Sequence, residues 1–335
     1  MAPEALISTI ASMLTGAGHG GVVTEFVALP AGGNNRVYRV RAGGVDFAAK
    51  HYFHEQAGER DRLRGEYAFL EHAGRCGIEG VPRPVAANAP ARLALYEFIA
   101  GRRVYQADID AKLVRTAAAF FAALNSAPSR TGAGDLPLAA DACLSVAQHV
   151  RSVDVRIERL SRISTDDALA REAAAFVARL ARFWSGAREP ILRAVPDPEQ
   201  PVVERCVSPS DFGFHNALIR PNGELCFLDF EYAGWDDPAK MAGDFFLHAG
   251  IRPSREHLEF FLEIALAAFD DAPTIVRRVR LLSAVFRARW ACIALNEFLP
   301  EVVRRRAFAA GDSLAAERRM GQLAKARELL AERDL

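Results

Sequence analysis

The chain has 335 residues and carries 42 Lys and Arg against 42 Asp and Glu, so its formal net charge is zero when histidine is neutral. A protein that binds nucleic acid by overall charge needs an excess of basic residues, and this balance excludes that class. Half of the residues are hydrophobic and a quarter are charged, which is typical of a soluble globular protein. The length favours two domains or lobes.

Nothing in the sequence predicts a secretory signal or a membrane span. The first twenty residues include Glu4 and lack the basic start of a signal peptide. No run of about 18 uncharged apolar residues occurs. The five cysteines are scattered, odd in number and without a C-x-x-C pair, so they predict neither a disulfide framework nor a zinc site. We therefore expect free thiols in a protein of the reducing cytoplasm.

The first hundred residues read as mixed α and β structure. An apolar segment at 22–29 predicts a strand, and the turn-forming cluster at 30–35 ends it. Polar and apolar residues alternate over 36–41, as in a half-buried strand. The glycine pair at 43–44 predicts a hairpin with a partner strand over 45–53.

An amphipathic helix follows over residues 59–75, with apolar residues on one face and Arg and Glu on the other. The prolines of segment 81–84 break this pattern, and a last strand spans 92–99. From about residue 105, helical periods replace alternation. Helices are predicted at 113–124, 145–163, 165–184 (with Thr165 or Asp166 as N-cap) and 241–333, with an irregular connection at 190–201 and strand-like segments at 203–207 and 217–230.

The order of these elements predicts an α+β protein. A small β-rich lobe, residues 1–104, precedes a larger helical lobe, residues 105–335, that holds a short β-loop insert.

The most informative residues are an Asp-x4-Asn segment, Asp211 to Asn216, and Asp229, which follows thirteen residues later at the end of an apolar run. Phosphoryl transfer from a nucleotide needs a carboxylate that accepts or orients the proton of the attacking hydroxyl. It also needs an amide oxygen and a second carboxylate that hold Mg²⁺ against the phosphates. The spacing predicts Asp211 as the base and Asn216 and Asp229 as metal ligands.

Residues 211–213 also spell the Asp-Phe-Gly motif of protein kinases, in which the Asp is a metal ligand. That interpretation requires an Asp-x4-Asn segment upstream. The only Asp within 186–205 is Asp197, and no Asn follows it at the required position. The spacing therefore keeps Asp211 as the base and Asp229 as the metal ligand.

These motifs resemble those of the aminoglycoside phosphotransferase/choline kinase family, and the resemblance extends over most of the chain. The family's catalytic loop reads H-G-D-x4-N, which the segment from Pro209 through Asp211 to Asn216 resembles. Its metal-binding strand reads I-D-F/W-E, and residues 228–231 read Leu-Asp-Phe-Glu. Residues 237–239 resemble the Asp-Pro-Ala step that follows.

The small lobe carries the rest of the resemblance. Residues 32–40 resemble the family's nucleotide loop, and Lys50 stands where its phosphate-binding lysine stands. Glu66 stands where the helix glutamate that pairs with this lysine stands, and residues 96–99 resemble the hinge strand that holds the adenine. The nucleotide-binding residues that the resemblance implies are Gly33, Asn35, Lys50, Glu66, Glu97 and Ile99.

The resemblance implies a bilobal protein-kinase-like fold, with a small antiparallel-sheet N-lobe and a larger, mostly helical C-lobe. It further implies ATP, or in some members GTP, together with Mg²⁺ and the phosphorylation of a hydroxyl group on a small molecule. No nucleic-acid or membrane partner is expected.

Two departures from the family pattern keep a second hypothesis open. Pro209 replaces the loop histidine, and Met241 replaces the acidic residue of the Asp-Pro-Ala-x-Asp step, with Asp244 one turn further on. The alternative is a pseudokinase, a nucleotide-binding regulator that transfers no phosphate. A protein kinase is weaker, because no A-P-E segment follows Asp229. His215 lies between the base and the metal ligand, where a loop histidine is more often a hydrogen-bonded support.

The acceptor is the least defined part of the prediction. A polycationic aminoglycoside would favour a strongly acidic substrate lobe, whereas residues 105–335 are rich in arginine as well as acid. A neutral or anionic hydroxyl compound, such as a sugar, is equally compatible with this composition.

Overall fold

The computed structural model describes residues 3–29, 35–53, 60–299, 302, 315–332 and 334–335. The chain divides into two compact units. The first comprises residues 1–108, 119–140 and 209–235, and the second comprises 109–118, 141–208 and 236–335. The segment with Asp211 and Asp229 thus belongs to the same unit as the N-terminal residues. The cut at residue 104 between a nucleotide lobe and a catalytic lobe stays a prediction.

The described residues form helices and short strands along the whole chain. In chain order they are α1 (Pro3–Gly16), β1 (Val23–Leu29), β2 (Asn35–Ala42), β3 (Val45–Tyr52), α2 (Arg62–Arg75), β4 (Pro84–Asn88), β5 (Leu93–Glu97), β6 (Arg102–Arg103), α3 (Ala111–Leu124), α4 (Ala127–Gly132), α5 (Val146–Leu160), α6 (Ala168–Arg193), β7 (Cys206–Ser208), β8 (Ala217–Ile219), β9 (Leu225–Phe227), β10 (Gly234–Asp236), α7 (Pro238–Leu247), α8 (Leu258–Ala265), α9 (Ala272–Leu281), α10 (Ser283–Leu295) and α11 (Ala315–Ala331). The order confirms the α+β fold class.

The first unit is built on an antiparallel five-stranded sheet with the strand order β1-β2-β3-β5-β4. Strands β2 and β3 form the predicted hairpin, and the two glycines of its turn have φ of 56° and 79°. A two-residue turn of this hand requires positive φ at both positions, which glycine adopts without a steric cost. The hairpin places Lys50 on the central strand, between Val37 of β2 and Ala94 of β5.

Helix α2 supplies the second element that positions a candidate residue. It begins after Asp61, whose Oδ1 accepts a hydrogen bond of 3.0 Å from the backbone N–H of Arg64. This bond satisfies one of the free donors at the helix N-terminus. Glu66, Phe69 and Leu70 lie on the buried face of the helix, so the carboxylate of Glu66 is held in the interior.

A three-stranded antiparallel sheet of the order β6-β8-β9 completes the first unit. Strands β8 and β9 flank the turn that separates Asn216 from Asp229. The backbone N–H of Leu228 donates to the carbonyl oxygen of Asn216 at 2.8 Å, so the residue that precedes Asp229 is tied directly to Asn216.

The second unit is helical, and its core lies around α10. Almost every residue of this helix is buried, and it packs against α5, α6, α7 and α11. The apolar cluster includes Val150, Leu180, Phe286 and Leu329. Among the described residues, no helix has both the length and the apolar character needed to cross a bilayer. The five cysteines are free thiols, as predicted.

The sequence prediction for α6 is wrong at both ends. The helix is capped by Asp167, whose Oδ1 accepts a hydrogen bond of 2.7 Å from the N–H of Ala170, rather than by Thr165 or Asp166. It also continues through Pro190 to Arg193, where an irregular connection was predicted. The proline stands in the last turn, where it removes one hydrogen bond without ending the helix. Helix α1 and strand β4 were not predicted.

A buried ionic cluster lies at the start of α7 in the second unit. Asp237 caps this helix by accepting from the N–H of Ala239 at 2.9 Å. Its carboxylate also binds Arg278 at 2.8 Å and His149 Nε2 at 3.1 Å. Burial alone would lower the pKa of His149, but its hydrogen bond to Asp237, helped by Cys143, outweighs burial and raises that pKa to about 9. The cluster is therefore a structural anchor of α7.

We predict that this histidine makes the protein less stable as the pH rises from 6.5 to 9. Because the folded pKa of His149 lies above its ordinary value of 6.5, the folded state binds more protons in this window. Its contribution is complete below the unfolded pKa and is lost as the pH passes the folded pKa. One such group changes the free energy of unfolding by at most about 1.4 kcal/mol per pH unit.

Urea unfolding at several pH values would measure this slope. His149→Gln keeps a hydrogen-bond donor toward Asp237 and removes the titration, so the variant should show a flatter pH dependence between 6.5 and 9. Equal slopes for the two proteins would contradict the assignment.

Candidate active site

The centre of the candidate site is the ammonium group of Lys50, which is buried within the first unit. Its Nζ lies 2.6 Å from Glu66 Oε2, 2.5 Å from Asp229 Oδ1 and 3.9 Å from Glu231 Oε2. Burial would lower the pKa of Lys50, but the three carboxylates outweigh it and raise the pKa above its ordinary value. Lys50 therefore stays charged, and the predicted pairing of Lys50 with Glu66 is present.

Glu66 is held by donors other than Lys50. The hydroxyl of Tyr52 donates to Oε2 at 2.6 Å, and the backbone N–H of Phe230 donates to Oε1 at 3.2 Å. Burial raises the pKa of Glu66, and the nearby Lys50 opposes this effect. The Tyr52 hydroxyl also lies 2.7 Å from that of Tyr96, so a chain of hydrogen bonds joins β5 to Glu66.

Asp229 combines an exposed carboxylate with an unusual backbone. Its φ is 65°, a left-handed conformation that non-glycine residues seldom adopt. Its side chain is 42% exposed, whereas that of Glu66 is 5% exposed. Such backbone strain costs about 1–3 kcal/mol and tends to persist where function requires it. Asp229 thus presents its carboxylate outward while still reaching Lys50.

Asp211 and Asn216 are brought together within one loop. The side-chain Nδ2 of Asn216 donates to the backbone oxygen of Asp211 at 3.0 Å and to its Oδ2 at 3.2 Å. His215 Nε2 lies 3.2 Å from the other carboxylate oxygen of Asp211. Since the amide nitrogen of Asn216 is used in these bonds, its amide oxygen is the atom that can serve as a metal ligand.

Four hydrogen bonds, one to the Glu231 carboxylate and three from Arg60, were not predicted from the sequence. Buried Glu231 accepts a hydrogen bond of 2.6 Å from Asn35 Nδ2. Arg60 donates to the backbone oxygens of Leu138 and Ala233, both at 2.6 Å, and of Glu231 at 3.3 Å. Burial lowers the pKa of Arg60. No motif marks this arginine in the sequence, because its partners are backbone atoms.

A cavity of about 770 Å³ brings most of the predicted residues together within the first unit. Its walls include apolar residues such as Leu29, Val37 and Leu218 together with the charged groups around Lys50. Asp211 is hydrogen-bonded to two residues of the wall, Asn216 and His215. The predicted site residues that line the cavity are Asn35, Lys50, Glu66, Glu97, Ile99, Asn216 and Asp229.

Glu97 has its polar contacts outside the ion cluster of Lys50. The side chain of Glu97 accepts from the backbone N–H of Arg83 at 3.3 Å and lies 3.7 Å from the guanidinium of Arg220. It is therefore tied to neighbouring loops rather than to Lys50. Gly33 lies outside the described residues. The functional roles of all these residues stay predictions.

A comparison with known families bears on the class of protein. Residues 25–240, more than half of the chain, match the family model described as the phosphotransferase enzyme family, APH. The chain belongs to this family. It is a small-molecule phosphotransferase whose acceptor is a hydroxyl group. No curated protein sequence matches the chain significantly.

Solved structures of low sequence identity share the fold. A choline/ethanolamine kinase family protein from Mesorhizobium loti has a TM-score of 0.61 and 16% identity, covering 99% of this chain and 96% of that one. Choline kinase from Cryptosporidium parvum has a TM-score of 0.61 and 13% identity, covering 98% and 97%. Spectinomycin phosphotransferase APH(9)-Ia, solved with ADP and spectinomycin, has a TM-score of 0.61 and 12% identity, covering 98% and 94%. The predicted protein-kinase-like fold is confirmed.

We predict that Tyr52→Phe destabilises the protein and weakens the hold on Glu66. The substitution removes a hydroxyl that is hydrogen-bonded to both Glu66 and Tyr96 and leaves their buried oxygens with one partner fewer. A loss of about 1–3 kcal/mol in the free energy of unfolding is expected. Chemical denaturation measures this loss. Tyr105→Phe, at a residue that is 63% exposed, is the matched control and should change stability little. Equal effects of the two substitutions would contradict the prediction.

Proposed function

We propose that the chain transfers the γ-phosphoryl group of ATP to a hydroxyl group of a small molecule in a reaction that requires Mg²⁺. The observation that supports this most is the placement of Lys50, Glu66 and Asp229 in one ion cluster on the wall of a cavity that Asn216 also lines. Phosphoryl transfer depends on positioning and on stabilisation of charge, and these groups supply both. The ADP complex of the spectinomycin enzyme supports ATP as the donor.

The donor chemistry of the site is compatible with Mg²⁺. Asp229 offers an exposed carboxylate, and Asn216 offers an amide oxygen. Oxygen ligands of this kind are those that Mg²⁺ prefers. Three carboxylates also surround the single ammonium of Lys50, an excess of negative charge that a cation can neutralise. When bound, the metal ion would neutralise charge on the phosphates; Asn216 and Asp229 would hold it.

The residues of the chain then have distinct tasks. Lys50 binds the α- and β-phosphates, and Glu66 fixes the position of Lys50. Asp211 accepts the proton of the acceptor hydroxyl as that oxygen bonds to phosphorus. The backbone of Glu97 and Ile99 binds the adenine ring of ATP. Gly33 and Asn35, the second of which begins β2, bind the phosphates.

The acceptor is proposed more broadly. The names of the similar structures make choline, ethanolamine and spectinomycin the first compounds to test. The zero net charge and the arginine content of the chain favour neutral and anionic sugars as a second group. The free thiols are compatible with a cytoplasmic location, which we also propose.

We predict that Asp211→Asn and Asp229→Asn each lower kcat about 10³-fold or more, because each removes a charge used in the transition state. Asp229→Asn should also weaken the dependence of nucleotide binding on Mg²⁺, whereas Asp211→Asn should leave it intact. Phosphate transfer to the acceptor panel and nucleotide binding by calorimetry measure the two effects. Asp135→Asn, an exposed carboxylate of the first unit, is the control.

A pseudokinase is the second candidate, since Pro209 stands where the family has a histidine. It predicts Mg²⁺-dependent nucleotide binding without transfer to any acceptor. Acceptor-dependent turnover that disappears in Asp229→Asn would exclude it.

A further inference from the structure

We propose that His215 is a positioning residue that fixes the carboxylate of Asp211 for catalysis. This rests on the proposed function of Asp211 as the base. The missing side chain at Gly213 leaves the space that the His215 ring occupies. The sequence indicates for His215 only a general hydrogen-bonded support, and the Asp-Phe-Gly spelling does not explain why residue 213 is glycine.

The carboxylate of Asp211 has a separate donor on each oxygen. His215 Nε2 lies 3.2 Å from Oδ1, and Asn216 Nδ2 lies 3.2 Å from Oδ2. Both donors come from the same loop, four and five residues after Asp211. Two hydrogen bonds to different oxygens fix the plane of a carboxylate, which a single bond cannot do.

Gly213 provides the space that the imidazole occupies. A methyl group at this position would lie 2.8 Å from Nδ1 and 2.9 Å from Cε1 of His215. Its φ of 171° is extended backbone that any residue can adopt, so the glycine is not needed for conformation. The absence of a side chain at 213 is therefore what allows the ring of His215 to fold back toward Asp211. The Asp-Phe-Gly sequence, which the spacing leaves without a metal-binding role, gains a physical explanation.

The residues between these positions anchor the loop. Phe212 and Phe214 are buried, and the ring of Phe212 packs 4.8 Å from that of Phe227 and 5.7 Å from that of Phe120. The loop cannot easily shift to restore a lost contact with Asp211, because moving it would expose these rings.

The chemical consequence concerns the proton transfer. As the acceptor oxygen bonds to the γ-phosphorus, the bond from that phosphorus to ADP breaks, and the hydroxyl proton passes to the Asp211 carboxylate. His215 donates its hydrogen bond to Asp211 throughout and does not take the proton. Misplacing a reacting group by about 1 Å can cost roughly 10²-fold in rate, so the orientation of Asp211 matters to kcat.

Three variants separate positioning from bulk structure. His215→Leu removes the donor and replaces the ring with an apolar side chain. His215→Gln places an amide N–H near the position of Nε2. Gly213→Ala keeps His215 but forces its ring to move, and displacement of a terminal ring is the least costly way to relieve the contact.

We expect His215→Leu and Gly213→Ala to lower kcat by about 10- to 100-fold with KM for ATP changed less than about twofold, and His215→Gln to restore most of kcat. The double variant Gly213→Ala/His215→Leu should be no slower than His215→Leu, because both changes remove one interaction. Full kcat in His215→Leu, or additive losses in the double variant, would overturn the proposal. Equal kcat values for His215→Leu and His215→Gln would overturn it as well.

A measurement without turnover distinguishes this proposal from the proposed function. The imidazole ¹⁵N resonances of His215 can be assigned by their loss in His215→Gln. They should show that Nε2 carries a hydrogen, and the chemical shift of Nε2 should change in Asp211→Asn and in Gly213→Ala. If the wild type transfers no phosphate yet shows these changes, the proposed function fails while the contact stands. Chemical shifts of His215 that stay unchanged in both variants would overturn the positioning role.

Discussion

The ion pairs between the buried ammonium of Lys50 and its carboxylate partners are the interaction on which the candidate site depends. A lysine inside a protein needs charged partners, and three carboxylates from different parts of the chain meet it. Glu66 comes from α2, whereas Asp229 and Glu231 follow β9. The central strand, the helix and the loop after β9 are therefore held at one point by charge. We propose that the same point binds the phosphates of a nucleotide.

Much of this arrangement could be predicted from the sequence. The glycine hairpin, the Asp-x4-Asn spacing and the apolar run before Asp229 are local patterns with a direct physical meaning. They led to the family, to the fold class and to the pairing of Lys50 with Glu66. Helix α1 was not predicted, although its buried residues Leu6, Ile10 and Leu14 recur every four residues in the sequence.

Other parts could not be predicted, for reasons that are also physical. Tyr52 supports Glu66 across a helix–sheet contact, and Arg60 binds backbone oxygens that carry no sequence signal. The contact of His215 with Asp211 joins two loop residues that no quoted motif pairs, and we propose that it depends on the missing side chain at Gly213. The cap of α6 was misplaced by one or two residues because Thr165, Asp166 and Asp167 are all good N-caps.

The left-handed backbone at Asp229 restricts how this site can change in evolution. A glutamate would keep the charge, but Gly, Asn and Asp adopt such a φ more readily than longer side chains do. Of these three residues, Asp alone carries charge. Asparagine differs from aspartate by a single base in the genetic code and suits the same turn. Under the proposed metal-binding role of Asp229, one base change would therefore be enough to abolish phosphate transfer while the backbone of this turn is kept.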